Sequence, residues 1–249
     1  MTENKSTPGP KTIPPIVDSA TIDSATAVSA TIGSATAVSA GVGSATADSA
    51  PVDSAIAVSA TIGSATAGRA IVGSAVVVIA TVWQLRLMGR AFWCACGKMN
   101  LWVGDAWSSH TSQHLFDPYS FTHILHGFLF CAILTLLFSR KTFEFRLWCA
   151  ITLESAWEIL ENSNLVIQRY RTMTSAFGYE GDSIVNSLGD ILSCTVGFMT
   201  ARKLGFRRAL VVFIAIEVAL LYLIRDNLIL NIVMLMYPSD TLKNWQIGH

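Results

Sequence analysis

From Phe121 to Phe138 the chain runs eighteen residues without a single Asp, Glu, Lys or Arg. That is about the length a helix needs to cross a bilayer whose hydrocarbon core is about 30 Å thick. Four further apolar stretches have similar length, giving candidate spans at roughly 70–88, 121–139, 147–166, 184–201 and 208–224. A shorter run, Leu228–Met236, cannot span alone and reads as interfacial or as an extension of the fifth. The alternative is a soluble all-α core. Against it, only 14% of residues are charged, where soluble domains carry about 25%, and amphipathic polar faces are missing. The expected fold is therefore all-α, a polytopic transmembrane helical bundle of about five spans. The formal net charge of zero argues against nucleic acid as a partner and leaves membrane lipids as the expected one.

Ahead of the spans lies a repeat. An alanine recurs every fifth residue from Ala20 to Ala80, and most units end in serine. Two readings compete. Residues this small bury too little surface to offset chain entropy, which predicts a disordered N-terminal tail over 1–68. The other reading is a five-residue β-solenoid. Its inward positions would alternate between Ile or Val and plain Ala (Ile22, Ala27, Ile32, Ala37, Val42), leaving voids that a packed interior does not tolerate. The first ten residues show no basic-then-apolar signal pattern. The spans then form the second region, 69–249.

The distribution of basic residues predicts the topology. Arg140, Lys141 and Arg146 fall between the second and third spans, and Arg202, Lys203, Arg207 and Arg208 between the fourth and fifth. Both loops are expected in the cytoplasm, which places the N-terminus there and the C-terminus outside. Arg86, Arg90 and Lys98 run mildly against this arrangement. With this orientation the polar residues segregate. His123 and His126 open the second span, Glu158, Glu161 and Asn162 lie in the outer half of the third, and Asp182, Asn186 and Asp190 open the fourth. All belong to the outer face, whereas Glu154 and Glu217 lie deeper.

Intramembrane ionisable groups are costly and default to a functional reading. Glu154, Glu158 and Glu161 stand at i, i+4 and i+7 and share one helical face; His123 and His126, at i and i+3, share another. Imidazole with carboxylate is a ligand set for a divalent metal such as Zn, Mn or Fe, so His123, His126, Glu158 and Glu161 are metal candidates, with Asp182 as a further oxygen. The same groups also suit proton transfer, and the bland reading is pairing with Arg169, Arg171 or Arg225 that fixes helix register. A second, weaker metal candidate is Cys94 and Cys96 with His110 and His114, which loosely follows a Cys₂His₂ pattern with one residue too few between its cysteines. Free thiols are the alternative there. The other three of the five cysteines, Cys131, Cys149 and Cys194, lie in apolar runs, and no disulfide framework follows from the spacing. The seven tryptophans mostly fall near expected interfaces, as an aromatic belt does.

Several segments in order carry a resemblance: Ser112-Gln-His114, Ser120-Phe-Thr-His-Ile-Leu-His-Gly127, Glu154-Ser-Ala-Trp-Glu-Ile-Leu-Glu-Asn-Ser163, Tyr179-Glu-Gly-Asp-Ser183, Arg225-Asp-Asn-Leu228 and Leu235-Met-Tyr-Pro238. Over roughly residues 75–249 the chain resembles an uncharacterised family of bacterial multi-pass membrane proteins, a domain of unknown function. The resemblance implies a plasma-membrane location and no known activity. A more distant likeness is to VanZ-like membrane proteins, whose His, Glu, Arg and Asp-x-x-x-Asn-x-x-Gly places are filled by His123, Glu158, Arg169 and Asp182–Gly189. It implies an envelope role. The Asp-Lys that precedes the His in that group is absent here, and Glu161 stands near where the group tends to carry Gln.

Two functions stay open. The first is an enzyme at the outer face acting on a lipid or lipid-linked envelope substrate. His123, His126, Glu158, Glu161, Asp182 and Asn186 would do the chemistry, and Arg169, Arg171 and Asp190 would hold the substrate. The second is a non-catalytic binding or assembly protein whose buried cluster is structural or conducts protons.

Overall fold

In the computed structural model, residues 50–98, 100–174 and 179–248 are described. Among them the regular structure is helical, in the order α1 (Ala50–Leu87), α2 (Ser120–Leu137), α3 (Phe143–Glu161), α4 (Asn164–Met173), α5 (Ile184–Leu204), α6 (Phe206–Ile224), α7 (Leu228–Met236) and α8 (Asp240–Ile247). The repeat up to residue 49 lies outside the described residues, so the choice between tail and solenoid does too. Its last copies, from Ala50 onward, already belong to α1. Alanine is the strongest helix former, and the apolar residues that follow let one helix run through the boundary expected at residue 68.

Three helical segments are long and apolar enough to cross a membrane: Ala67–Leu87, Ser120–Leu137 and Ile184–Leu204. The third and fifth stretches form helices of nineteen residues, α3 and α6. The first carries Glu144, Arg146, Glu154, Glu158 and Glu161, and the second Arg207, Arg208 and Glu217. Those charges keep both outside the purely apolar class. Leu228–Met236 is a separate helix, α7, rather than a continuation of α6, because Arg225 takes a left-handed conformation (φ 51°) and breaks the chain there.

Helices α2 and α5 cross most closely. A Cβ at Gly127 would collide with backbone atoms of Cys194, Gly197 and Phe198, and one at Gly197 with the backbone of Ile124. Paired small residues let two helix backbones touch, which supplies the packing that apolar burial cannot supply in lipid. Towards the C-terminal half of α2, Phe128, Cys131 and Leu134 meet Ala150 of α3 and Phe198 and Ala201 of α5 in an apolar core. The other end of the same bundle, where α2 and α5 begin and α3 and α6 finish, is polar.

A long connection, residues 88–119, covers that polar end. It doubles back on itself: Trp102 bridges Phe116, and Val103 N donates to Phe116 O at 3.0 Å. It also satisfies the start of α5. Ser183 N, Ile184 N and Val185 N donate to the carbonyls of Ser112, Ala91 and Phe92 at 2.9, 2.9 and 3.0 Å. The first amides of a helix have no partner of their own, so this docking answers a need of α5 itself.

Candidate functional site

The polar end gathers side chains from three helices. Helix α2 contributes His123 and His126 from its first two turns, α3 contributes Glu154, Glu158 and Glu161 along one stripe, and α5 contributes Asp190. The helix directions explain the meeting. The chain enters α2 and α5 from the end at which α3 finishes, so the start of α2 faces the latter half of α3.

His123 is the hub. Its Nδ1 lies 2.5 Å from Glu154 Oε1 and 3.5 Å from Glu158 Oε1, and its Nε2 lies 3.8 Å from Asp190 Oδ2. His126 Nδ1 stands 3.1 Å from both oxygens of Glu154. Glu154 and Glu158 are wholly buried. They differ sharply in their partners. Glu154 is bound by both imidazoles, whereas neither oxygen of Glu158 receives a hydrogen bond, nor does Glu161 Oε2. Buried carboxylates left without donors are rare in proteins and call for a functional or ionic explanation. One ligand atom each from His123, His126 and Glu154, or from His123, Glu158 and Glu161, comes within 4.8 Å of its fellows, the spacing at which either triplet could hold a divalent cation.

Further hydrogen bonds tie the surrounding side chains to these acids. Ser120 Oγ donates to Asp190 Oδ1 at 3.0 Å, and Asp117 N donates to Ser120 Oγ at 3.2 Å. Asn162 Nδ2 donates to Asp182 Oδ2 at 2.8 Å and to the carbonyl of Glu158 at 3.0 Å. Tyr179 Oη donates to Asp182 Oδ1 at 2.9 Å. Burial raises the Asp182 carboxyl above the usual carboxylate range, against the hydrogen bonds that lower it. Asp117 accepts Ser112 N and Tyr119 N at 2.6 and 2.8 Å and is likewise raised by burial.

The expected site residues thus divide. His123, His126, Glu158, Glu161 and Asp190 converge. Asp182 joins through Asn162. Asn186 does not: its Nδ2 donates to the His114 carbonyl at 2.9 Å. Arg169 does not either. Its guanidinium donates to the carbonyls of Leu235 and Met236, the latter at 3.3 Å, where the end of α7 lacks donors. Arg171 binds the Tyr179 carbonyl and lies 3.8 Å from Glu180 Oε1. Glu154, expected to lie deeper than the other acids, is the one bound by both imidazoles. Glu217, also deep, accepts Leu228 N and Ile229 N at 3.0 and 3.2 Å and caps α7.

A family model described as "Protein of unknown function (DUF2585)" matches residues 85–248. A UPF0314 protein of Paracoccus denitrificans (strain Pd 1222) is 43% identical over 171 residues, 69% of this chain and 88% of the relative. Another, from Sphingopyxis alaskensis, is 44% identical over 173 residues, 70% of this chain and 91% of the relative. No solved structure matches the chain. The match takes in the end of α1, the covering connection and every residue of the His–Glu cluster, and leaves the repeat outside. The chain belongs to the DUF2585 family and is a relative of these UPF0314 proteins.

Proposed function

We propose that the protein resides in the inner (plasma) membrane with its N-terminus in the cytoplasm, and performs acid–base chemistry on a lipid or lipid-linked envelope substrate at the outer face. Glu158 carries the proposal. It is a wholly buried carboxylate with no hydrogen-bond donor, set 3.5 Å from an imidazole that Glu154 holds in place. A base is useful when it is unspent and its partner is oriented, and this pair meets both conditions. In this reading Glu158 takes a proton from the substrate or a water. Glu158 returns that proton to the leaving group, while Glu154 at Nδ1 and Asp190 on the Nε2 side hold the His123 ring beside it.

An apolar recess supports the lipid class of substrate. A cavity of about 300 Å³ lies along α2 and α5, lined by Trp102, Phe116, Phe121, Ile124, Leu192 and Val196. Ser120 also lines it, and Ser120 Oγ bonds Asp190. An acyl chain in this recess would bring its polar end to the margin of the cluster. A divalent metal on either His–Glu triplet would serve the same chemistry by polarising an ester or phosphoryl oxygen.

One observation favours the non-catalytic, proton-conducting reading: both imidazoles are already satisfied by Glu154. A single experiment separates the two. Purified wild type is incubated with total envelope lipid extract, and products are followed by mass spectrometry. Conversion of a lipid species by wild type and not by Glu158→Gln at equal thermal stability is the expected result. No conversion, with proton flux in proteoliposomes that Glu158→Gln stops, assigns the second reading.

A further inference from the structure

Away from the His–Glu cluster, the connection between α1 and α2 folds four sulfur and nitrogen ligands together. Cys94 Sγ lies 3.3 Å from His110 Nδ1, and Cys96 Sγ lies 3.9 Å from His114 Nε2. One ligand atom from each of the four residues lies within 4.8 Å of every other. Tetrahedral zinc with ordinary Zn–S and Zn–N bonds sets its ligand atoms about 3.3–3.8 Å apart. No pair of ligand atoms therefore stands more than about 1.5 Å beyond the spacing that closes on one ion.

The backbone is shaped for that purpose. Cys94-Ala-Cys96-Gly97 forms a turn in which Gly97 N donates to the Cys94 carbonyl at 3.1 Å, and Gly97 adopts φ 76°, a left-handed conformation that suits glycine. Cys96 N donates to Cys94 Sγ at 3.3 Å. An amide aimed at sulfur stabilises a thiolate, the form that binds metal. On the histidine side Gln113 N donates to the His110 carbonyl at 3.1 Å, a turn that brings the two rings to a centroid distance of 5.6 Å with their planes tilted by 43°. A single residue between the cysteines is one fewer than the usual zinc spacing, and the turn at Gly97 compensates by returning Cys96 towards His114.

We propose that Cys94, Cys96, His110 and His114 form a structural Cys₂His₂ zinc site that fastens the α1–α2 connection over the polar end of the bundle. The anchoring points lie next to the ligands. The His114 carbonyl accepts Asn186 Nδ2, and Ala91 O, Phe92 O and Ser112 O cap the first amides of α5. Zinc closes the loop that presents these carbonyls, much as a crosslink does, and displaces the thiol protons. One hydrogen bond must give way. Asn100 N donates to His114 Nδ1 at 3.0 Å, and a His114 that binds through Nε2 carries its proton on Nδ1. The metal-loaded loop therefore releases the Asn100 amide.

The test uses the full chain, purified in detergent under mild reductant without chelator and then incubated with zinc and freed of excess. Wild type should retain about one zinc ion per chain by elemental analysis, as a four-ligand site does. Cys96→Ser and His110→Ala should each lose most of it. His126→Ala and Glu158→Gln should retain it, which separates this site from the His–Glu cluster. Cobalt in place of zinc should give the thiolate-to-metal absorption of a tetrahedral sulfur site, and chelation should expose both thiols to a thiol reagent. Zinc absent from wild type after incubation, zinc unchanged in Cys96→Ser, or a Cys94–Cys96 disulfide that persists in reductant would each overturn the proposal.

Discussion

His123 Nδ1 lies 2.5 Å from Glu154 Oε1, and the next carboxylate on the same helical stripe, Glu158, stands 3.5 Å from that nitrogen and receives no hydrogen bond. Two acids one turn apart therefore do different work. Glu154 is bound by two imidazoles, and Glu158 is held in reserve beside them.

That asymmetry predicts opposite outcomes for the same conservative change. Glu154→Gln leaves the buried His123 and the half-buried His126 without their anion, and removing one partner of a buried pair costs about 3–5 kcal/mol. A large drop in the melting temperature of the detergent-purified protein is expected. Glu158→Gln removes a charge without donors and should melt at or above the wild-type temperature, because strained functional groups are held at the expense of stability. Thermal scans of the two variants check this; a Glu158→Gln variant that melts as low as Glu154→Gln would show Glu158 to be a structural partner.

A pH dependence follows from Asp226, just beyond α6. It is buried, accepts Asn227 N at 2.9 Å and Tyr119 Oη at 3.3 Å, and burial raises its carboxyl from the ordinary 3.8 to about 6. The folded state binds this proton more tightly than the unfolded chain does. Its stabilising effect is full below pH 3.8 and is lost as pH rises through about 6. Asp226→Asn keeps an oxygen for Asn227 and removes the titration, so it should gain stability on wild type above pH 7, by at most about 3 kcal/mol. Equal pH profiles for the two proteins between pH 4 and 8 would refute the assignment.

The sequence carried the scaffold more clearly than the site. The charge-free run of α2 and the i, i+4, i+7 spacing in α3 state a helix and its polar face directly. Which carboxylate meets which histidine depends on the relative depth of two antiparallel helices, and neither helix encodes that alone. His123 and His126 lie a turn or two inside α2, so they meet Glu154, whereas a reading from the helix ends pairs them with Glu158 and Glu161. Arg169 and Asn186 illustrate another limit. Unsatisfied backbone carbonyls at Leu235, Met236 and His114 take their donors, and such carbonyls leave no trace in a sequence. The closing of Cys94 and Cys96 on His110 and His114 was hidden in the same way, because the spacing rule does not include the turn at Gly97.

The crossing of α2 and α5 gives a third prediction. Gly127 faces the backbone of Cys194, Gly197 and Phe198, and Gly197 that of Ile124, so closely that a methyl group at either position has no space. Gly127→Ala must separate the helices and strain the register that sets His123 against Asp190. Overpacking of this kind typically costs about 1–3 kcal/mol. Gly127→Val should cost more and reduce the yield of folded protein. Gly205→Ala tests a different mechanism, since its Cβ meets open space but its φ of 72° with ψ of 163° is a conformation essentially reserved for glycine, and about 1–3 kcal/mol is expected there. A Gly127→Ala variant that melts at the wild-type temperature would indicate that contact at the crossing is looser than the geometry states.

Topology is the prediction on which the outer-face reading stands. The polar cluster occupies the end of the bundle opposite the Arg140–Arg146 and Arg202–Arg208 connections, as the positions of α2, α3, α5 and α6 require. Basic loops stay on the cytoplasmic side, and the proposed function therefore assigns the cluster to the other face. Reporter fusions after residues 141, 175, 205 and 249 should read inside, outside, inside and outside. The pattern also requires α3 and α6 to cross the membrane, although their charges leave them less apolar than α2 and α5. Each has its acids placed for this. Glu154 and Glu158 are buried against α2, and Glu217 is buried against the start of α7. Neither helix therefore needs to expose an acid to lipid in its middle turns. An inside reading at 175 would place the His–Glu cluster in the cytoplasmic half and end the case for an outer-face envelope substrate. It would leave the zinc site untouched, because the four ligands converge within one connection whichever side that connection faces.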